Sequence, residues 1–475
     1  MRKLLLATAA IVGASVGTMG LAMAQAPETL QGTVATPANG GSYAYGDNNY
    51  MGGTMTKGPV ANPTPGTMVI RLGVRADVGV GAAWSSIDEA GGTTKLNPVQ
   101  IYEYLRIYPG VDAMAANGLR YGAAAEIRQN YASASGGGGA LVGGTGTSPW
   151  LSTQTLFVRR AFAYVAADNF GIVRLGEMDG LMGTYDEGGA TTGVFLSPSG
   201  TIVGGNLQSN NVGNAWMAPY FGAQSGAEYG AAKIVYLTPS FYGFDFGLEY
   251  APSQYNGYAI GSGANPLSAG CASGPLGGDA CVNASATAGG EAAYTNFVEV
   301  GGRYQHTWGP VAVLGYATYT HSGVVQNSTG MTGFNGLDFF QIGTNVTVAG
   351  ISVFGNLLHG TVNGDYGVNA VGAVPSTGFG TGVKYSYGPY TVGALYSQLD
   401  DQGVAGPLVG KTQRHAWVFA AAATYSPAPG LTFYLDYDYG QQHQGDFNFA
   451  TGAVGSTAYN DIKAQGVMFG TVVKW

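Results

Sequence analysis

The chain has 475 residues, only 10 per cent of them charged, and a formal net charge of −8. Soluble domains carry nearer a quarter of charged residues, and the acidic balance argues against nucleic acid as a partner. Glycine at 81 and tyrosine at 31 suit alternating strands with aromatic belts at two interfaces, as in a membrane barrel.

The N-terminus reads as an export signal. Arg2 and Lys3 form a basic region, the run from Leu4 to about Leu21 is apolar, and Ala22-Met23-Ala24 supplies a small-residue cleavage site. Residues 1–24 are therefore predicted to be cleaved, which removes two positive charges and moves the formal charge from −8 to −10. No other segment approaches the ~18–20 unbroken apolar residues that a spanning helix needs. Residues 25–66 are rich in Pro, Gly, Ala, Asn and Thr with little periodicity, and are expected to form a flexible periplasmic leader.

From residue 67 to 475 the chain breaks into alternating segments separated by turn residues. The pattern predicts strands near 68–84, 99–109, 118–131, 154–166, 171–178, 231–238, 243–251 and 291–306. Eight more are predicted near 310–321, 336–348, 350–362, 377–387, 389–399, 413–426, 430–442 and 459–475. Sixteen is an even number, as in single-chain outer-membrane barrels. Connections after even-numbered strands are short, such as Pro239-Ser240, Trp308-Gly309, Gly350 and Gly388. Those after odd-numbered strands are long, as over 179–230 and 252–290. Long loops at one end and tight turns at the other fit a membrane barrel; a soluble sandwich has no reason to sort loop length by parity.

Strand faces follow from charge. In the first strand Arg71, Arg75 and Asp77 alternate with Ile70, Leu72, Val74 and Val78. In the third, Arg120, Glu126 and Arg128 alternate with Leu119, Tyr121 and Ile127. A lipid-facing arginine at the midplane costs about 2–4 kcal/mol, so the charged sets must face a watery lumen. The last strand places Val467, Phe469, Thr471, Val473 and Trp475 on one face. Cys271 and Cys281 are the only cysteines; in an exported chain they are expected to close a small external loop as a disulfide.

Several segments are similar to the general trimeric porins of Gram-negative outer membranes. The stretch from Phe157-Val158-Arg159-Arg160-Ala161-Phe162 through Phe170-Gly171-Ile172-Val173-Arg174 resembles their strand–turn–strand with an R-x-A-[FY] core. Tyr236-Leu237-Thr238-Pro239-Ser240-Phe241-Tyr242-Gly243-Phe244 resembles their tight-turn signature. The aromatic C-terminus, with Phe469, Val473 and Trp475, looks like the signal by which such barrels are recognised for insertion. The resemblance spans Met68 to Trp475. It implies an all-β, sixteen-stranded antiparallel transmembrane barrel whose third external loop folds inward, usually as a homotrimer served by the barrel-assembly machinery and surrounded by outer-membrane lipid and lipopolysaccharide. It also implies a constriction with Asp186 and Glu187 on that loop facing Arg75, Arg106 and Arg159 on the wall. Leu237 and Glu177 depart from the family pattern, where basic residues are common.

Other motifs carry little. Gly13-Ala14-Ser15-Val16-Gly17 lies in the predicted signal, and Gly406-Pro407-Leu408-Val409-Gly410-Lys411-Thr412 is one residue short of a P-loop. The five histidines are scattered over different strands and loops, as isolated lumen or girdle residues. No catalytic constellation, cofactor or metal site is expected. The expected function is passive diffusion of small hydrophilic solutes and ions through a water-filled outer-membrane channel. The alternatives are a channel preferring a sugar or an anion, and a surface adhesin barrel.

Overall fold

The computed structural model describes residues 63–87, 99–130, 155–185, 231–253, 292–326, 334–363, 369–403, 413–450 and 453–474. The predicted signal, most of the predicted leader, Asp186, Glu187, both cysteines and Trp475 lie outside the described residues. Sixteen antiparallel strands close into one barrel. In chain order they are β1 (Thr67–Ser85), β2 (Val99–Met114), β3 (Arg120–Asn130), β4 (Thr155–Ala167), β5 (Gly171–Met178), β6 (Ala231–Leu237), β7 (Phe244–Ser253) and β8 (Ala292–Trp308). Then follow β9 (Val311–Gln326), β10 (Asp338–Val348), β11 (Ile351–Thr361), β12 (Ser376–Tyr387), β13 (Tyr390–Asp401), β14 (Arg414–Ala428), β15 (Leu431–Gln444) and β16 (Asp461–Lys474). Each predicted strand is present. Every strand pairs with its neighbour in sequence, and β16 closes on β1 in the register Arg75↔Lys474 to Ser85↔Ala464.

The connections sort by parity as the sequence predicts. Those at one rim span only 115–119, 168–170, 238–243, 309–310, 349–350, 388–389 and 429–430, whereas those at the other run up to 179–230. The tight rim has local causes. Ala349 and Gly350 both take positive φ, +49° and +82°, the two-residue type I′ hairpin whose twist matches its strands.

Alternation holds along the wall. On β1, Ile70 is 74% and Val78 50% exposed, while Arg75 and Asp77 are fully buried from solvent. The outward face is apolar and bounded by aromatic rings. Toward the short-turn rim, Tyr390, Tyr425 and Phe433 stack in a row, and Tyr304, His306 and Trp308 form another group. Toward the long-loop rim stand Phe379, Tyr396, Trp417 and Tyr439. Two aromatic belts flanking an apolar band mark the water–lipid interfaces.

Inside, four aromatic side chains are each paired with a glycine directly across a strand boundary: Tyr164 with Gly122, Tyr316 with Gly343, Phe354 with Gly382 and Tyr434 with Gly470. A Cβ on any of these glycines would collide with the ring. The ring therefore lies on its neighbour strand, along the wall, where a larger partner would push it into the lumen. This pattern accounts for part of the high glycine and tyrosine content.

Candidate channel lining

The lumen wall of β1–β5 is strongly basic. Among its described residues, Arg71, Arg75, Arg106, Arg120, Arg128, Arg159, Arg160 and Arg174 face inward with the carboxylates Asp77, Asp112 and Glu126. Strand alternation alone would send one of the consecutive pair Arg159 and Arg160 to the lipid. A bulge prevents it: Glu126 pairs with Arg160 and Ile127 with Val158, so Arg159 is the extra residue. Both arginines end up inside, 5% and 0% exposed. A bulge re-aims a side chain at the cost of one ladder position, a smaller penalty than charge in lipid.

These side chains converge on two carboxylates. Glu126 Oε2 lies 3.0 Å from Arg159 Nη1 and 3.3 Å from Arg160 Nε, and its Oε1 is 3.9 Å from Arg106 Nη1. Arg128 Nε also donates to Oε1. Asp179, just past β5, accepts from Arg159 Nη2 at 2.8 Å and from Arg160. Four guanidiniums against two carboxylates leave a formal excess of two positive charges. Nearer the short-turn rim, Arg71 and Tyr164 both donate to Asp112, and Arg120 pairs with Asp168 of the β4–β5 turn at 3.0 Å. Arg75 donates to Asp77 at 3.1 Å.

Carboxylates recur on the remaining wall, with Asp245, Glu249 and Glu299 on β7 and β8, Asp401 on β13, and Asp436 and Asp438 on β15. Those on β7 and β8 hold the start of the third long loop. A short helix, α1 (Leu181–Tyr185), is buried against the inward faces of these strands. The Leu181 N–H donates to Glu249 Oε2 at 2.7 Å, and the Met182 N–H to Glu299 Oε2 at 3.2 Å. Unpaired N–H groups and a partial positive charge at a helix start favour such carboxylate partners. Lys233 Nζ sits 2.8 Å from the other oxygen of Glu249. Arg303, bonded to Asp245 at 2.9 Å, lies 5.0 Å from the Tyr185 ring centre. Leu181 fits over Gly247, where any Cβ would strike it, and beside Gly301, where a Cβ would strike Thr318 and crowd Leu181. Leu237, the departure from the basic pattern, is fully buried in the apolar cluster that includes Leu181.

The predicted site residues thus divide. Arg71, Arg75, Asp77, Arg106, Arg120, Glu126, Arg128 and Arg159 share the lumen face, and Arg106, Glu126, Arg128 and Arg159 meet in one cluster. Asp186 and Glu187 follow α1 directly and fall outside the described residues, as does the Cys271–Cys281 loop. Phe469 and Val473 point outward on β16. Sequence reasoning missed Arg160, Arg174, Asp112 and Asp179. The doublet Arg159-Arg160 was itself a signal, because two adjacent charges in a membrane strand can both reach water only through a bulge. Of the lumen and girdle positions expected for the histidines, the structure gives the girdle: all five take outward positions near the rims.

Comparison with known proteins follows the same lines. The sequence matches the family described as Gram-negative porin over residues 7–445. Among solved structures, the chain is similar to an anion-selective porin from Comamonas acidovorans, at 14% identity over 86% of this chain and 100% of that one, with a TM-score of 0.49. A mutant of the Rh. blastica porin matches at 15% identity over 86% and 100%, with a TM-score of 0.44. A loop-deletion mutant of OmpT, an outer membrane protein of Vibrio cholerae, matches at 10% identity over 86% and 99%, with a TM-score of 0.46. No curated protein matches.

Proposed function

The chain belongs to the Gram-negative porin family, and we infer that its barrel works as a water-filled outer-membrane channel for passive diffusion of small hydrophilic solutes and ions. Sixteen strands enclose a lumen wide enough for water, where eight leave room only for side chains. Residues 1–24 are removed on export, and the mature chain assembles as a homotrimer among outer-membrane lipid and lipopolysaccharide after insertion by the barrel-assembly machinery. On this reading the third external loop narrows the lumen, as the family resemblance implies, with Asp186 and Glu187 set against the arginine wall. A basic wall facing acids sets up a transverse field that orders water, so an apolar solute pays to displace it and a small polar one passes.

The observation that carries this reading is the cluster of Arg106, Arg128, Arg159 and Arg160 around Glu126 and Asp179. Its excess positive charge favours a second, finer reading, in which the channel prefers anions. Both are tested in planar bilayers. Discrete conductance steps from the purified protein support the channel, and their absence refutes it. A reversal potential of anion-selective sign under a salt gradient supports the preference, and one of cation-selective sign refutes it.

A further inference from the structure

The outward face of the barrel carries, among the described residues, a polar row that the channel does not use. His359 of β11 pairs with Thr377 of β12, Thr377 with Asp400 of β13, Asp400 with His415 of β14, His415 with His443 of β15, and His443 with Asp461 of β16. The row stands just beyond the aromatic belt of Phe379, Tyr396, Trp417 and Tyr439, on its water side. His415 and His443 keep 47% and 50% of their side-chain surface exposed, so ions in solution reach them.

Hydrogen bonds set the chemistry at its centre. His415 Nδ1 bonds to Asp400, and His443 Nδ1 bonds to Asp461 Oδ1 at 2.9 Å. Each Nδ1 is thereby engaged by a carboxylate, which leaves Nε2 as the ring nitrogen open to a further partner. Asp400 lies on the strand beyond β14 and Asp461 on the strand beyond β15, so the two Nδ1 atoms point away from each other. Nδ1 and Nε2 lie on different sides of an imidazole, so on each ring the aspartate takes one side and leaves Nε2 on the other. Directly opposed residues on adjacent strands have Cβ atoms about 4.5–5.5 Å apart, close enough for two imidazole side chains to share one ion through metal–nitrogen bonds of about 2.0–2.1 Å. An aspartate holding the far nitrogen of a metal-binding histidine is the usual supporting arrangement.

We propose that His415 and His443 form a surface site for one borderline divalent transition-metal ion, such as zinc, copper or nickel, with water completing its coordination. Asp400 and Asp461 are positioning residues. Gln398 Nε2 donates to Asp400 Oδ2 at 3.2 Å and steadies it from the next row inward. Lys463, on that same inner row of β16, opposes the ion only at a distance. Imidazole donors select zinc, copper and nickel over magnesium and calcium, which favour oxygen cages.

The test is calorimetric titration of the purified full-length barrel in detergent with Zn2+ alone, then with Mg2+ in excess. One saturable Zn2+ per barrel, not displaced by Mg2+, is expected. His415→Gln and His443→Gln should each weaken binding at least tenfold, and Asp400→Asn or Asp461→Asn by about 10–100-fold. His306→Gln, near the opposite rim, should leave both binding and conductance unchanged. Absence of saturable binding, or full binding in the double variant H415Q/H443Q, overturns the proposal. If the double variant fails to assemble, the wild type decides: Zn2+ must protect His415 and His443, and not His306, from diethyl pyrocarbonate, and equal modification of all three overturns it.

Discussion

Tyr434 of β15 reaches across β16 and donates its hydroxyl to Asp77 of β1 at 2.9 Å. Its path runs over Gly470, its direct partner on β16, which itself pairs with Gly79 on β1. One side chain thus spans the seam where the ends of the chain close the barrel. A Gly470→Val substitution would drive the ring off the wall and break the bond. Overpacking costs about 1–3 kcal/mol, and Tyr434→Phe about 1.5–3 kcal/mol for a bond to a charged acceptor. Urea unfolding in detergent should show both variants destabilised, with Gly470→Val alone narrowing the conductance. Unchanged midpoints would show that the seam bond carries no stability.

The arginine cluster predicts opposite shifts from opposite substitutions. Arg159→Gln with Arg160→Gln removes two positive charges, and reversal potentials should move toward cations. Glu126→Gln should move them toward anions. It also leaves four guanidiniums with one carboxylate, and breaking a buried pair costs about 3–5 kcal/mol. Shifts of the same sign from both variants would place the cluster away from the ion path.

Docking of α1 depends on room and on charge. Gly247→Val fills the space taken by Leu181, and Glu249→Gln with Glu299→Gln weakens the hold on the Leu181 and Met182 N–H groups. Both changes should release the start of the third loop, raising conductance or its noise while circular dichroism stays that of an intact barrel. Quiet, wild-type conductance from both would mean that α1 does not anchor the loop.

The cysteines make a chemical prediction. The disulfide expected between Cys271 and Cys281 would close a short loop and stabilise it by about 2–3 kcal/mol in the chain-entropy model. Denatured, unreduced protein should take up no alkylating reagent, and the double Ser variant should keep its barrel. Two alkylated thiols would rule the bond out.

Assembly should depend on the outward face of β16. Phe469, 51% exposed among the apolar residues of that face, should not tolerate arginine, at about 2–4 kcal/mol near the midplane. Trp475→Asp should likewise block insertion. Near-normal heat-modifiable barrel in outer membranes from both variants would contradict this.

The barrel was legible in the sequence because its cause is local. Water on one side and lipid on the other impose a period of two on every strand, and charge at Arg71, Arg75, Arg120 and Glu126 marks which side is wet. Loop lengths then sort by parity because the turns at one rim are tight. Pairwise geometry was not legible, since it depends on strands distant in the chain. Only the closed barrel brings Asp179 to Arg159 and Arg160, folds α1 onto Glu249 and Glu299, and reveals that a bulge turns two adjacent arginines the same way. The histidines show the same limit: His359, His415 and His443 look scattered along the chain, yet strand register sets them in one row. The sequence by itself determined the number of strands and their faces; the tertiary structure decided which charges meet, because contacts between strands follow from register and curvature, which no single segment encodes.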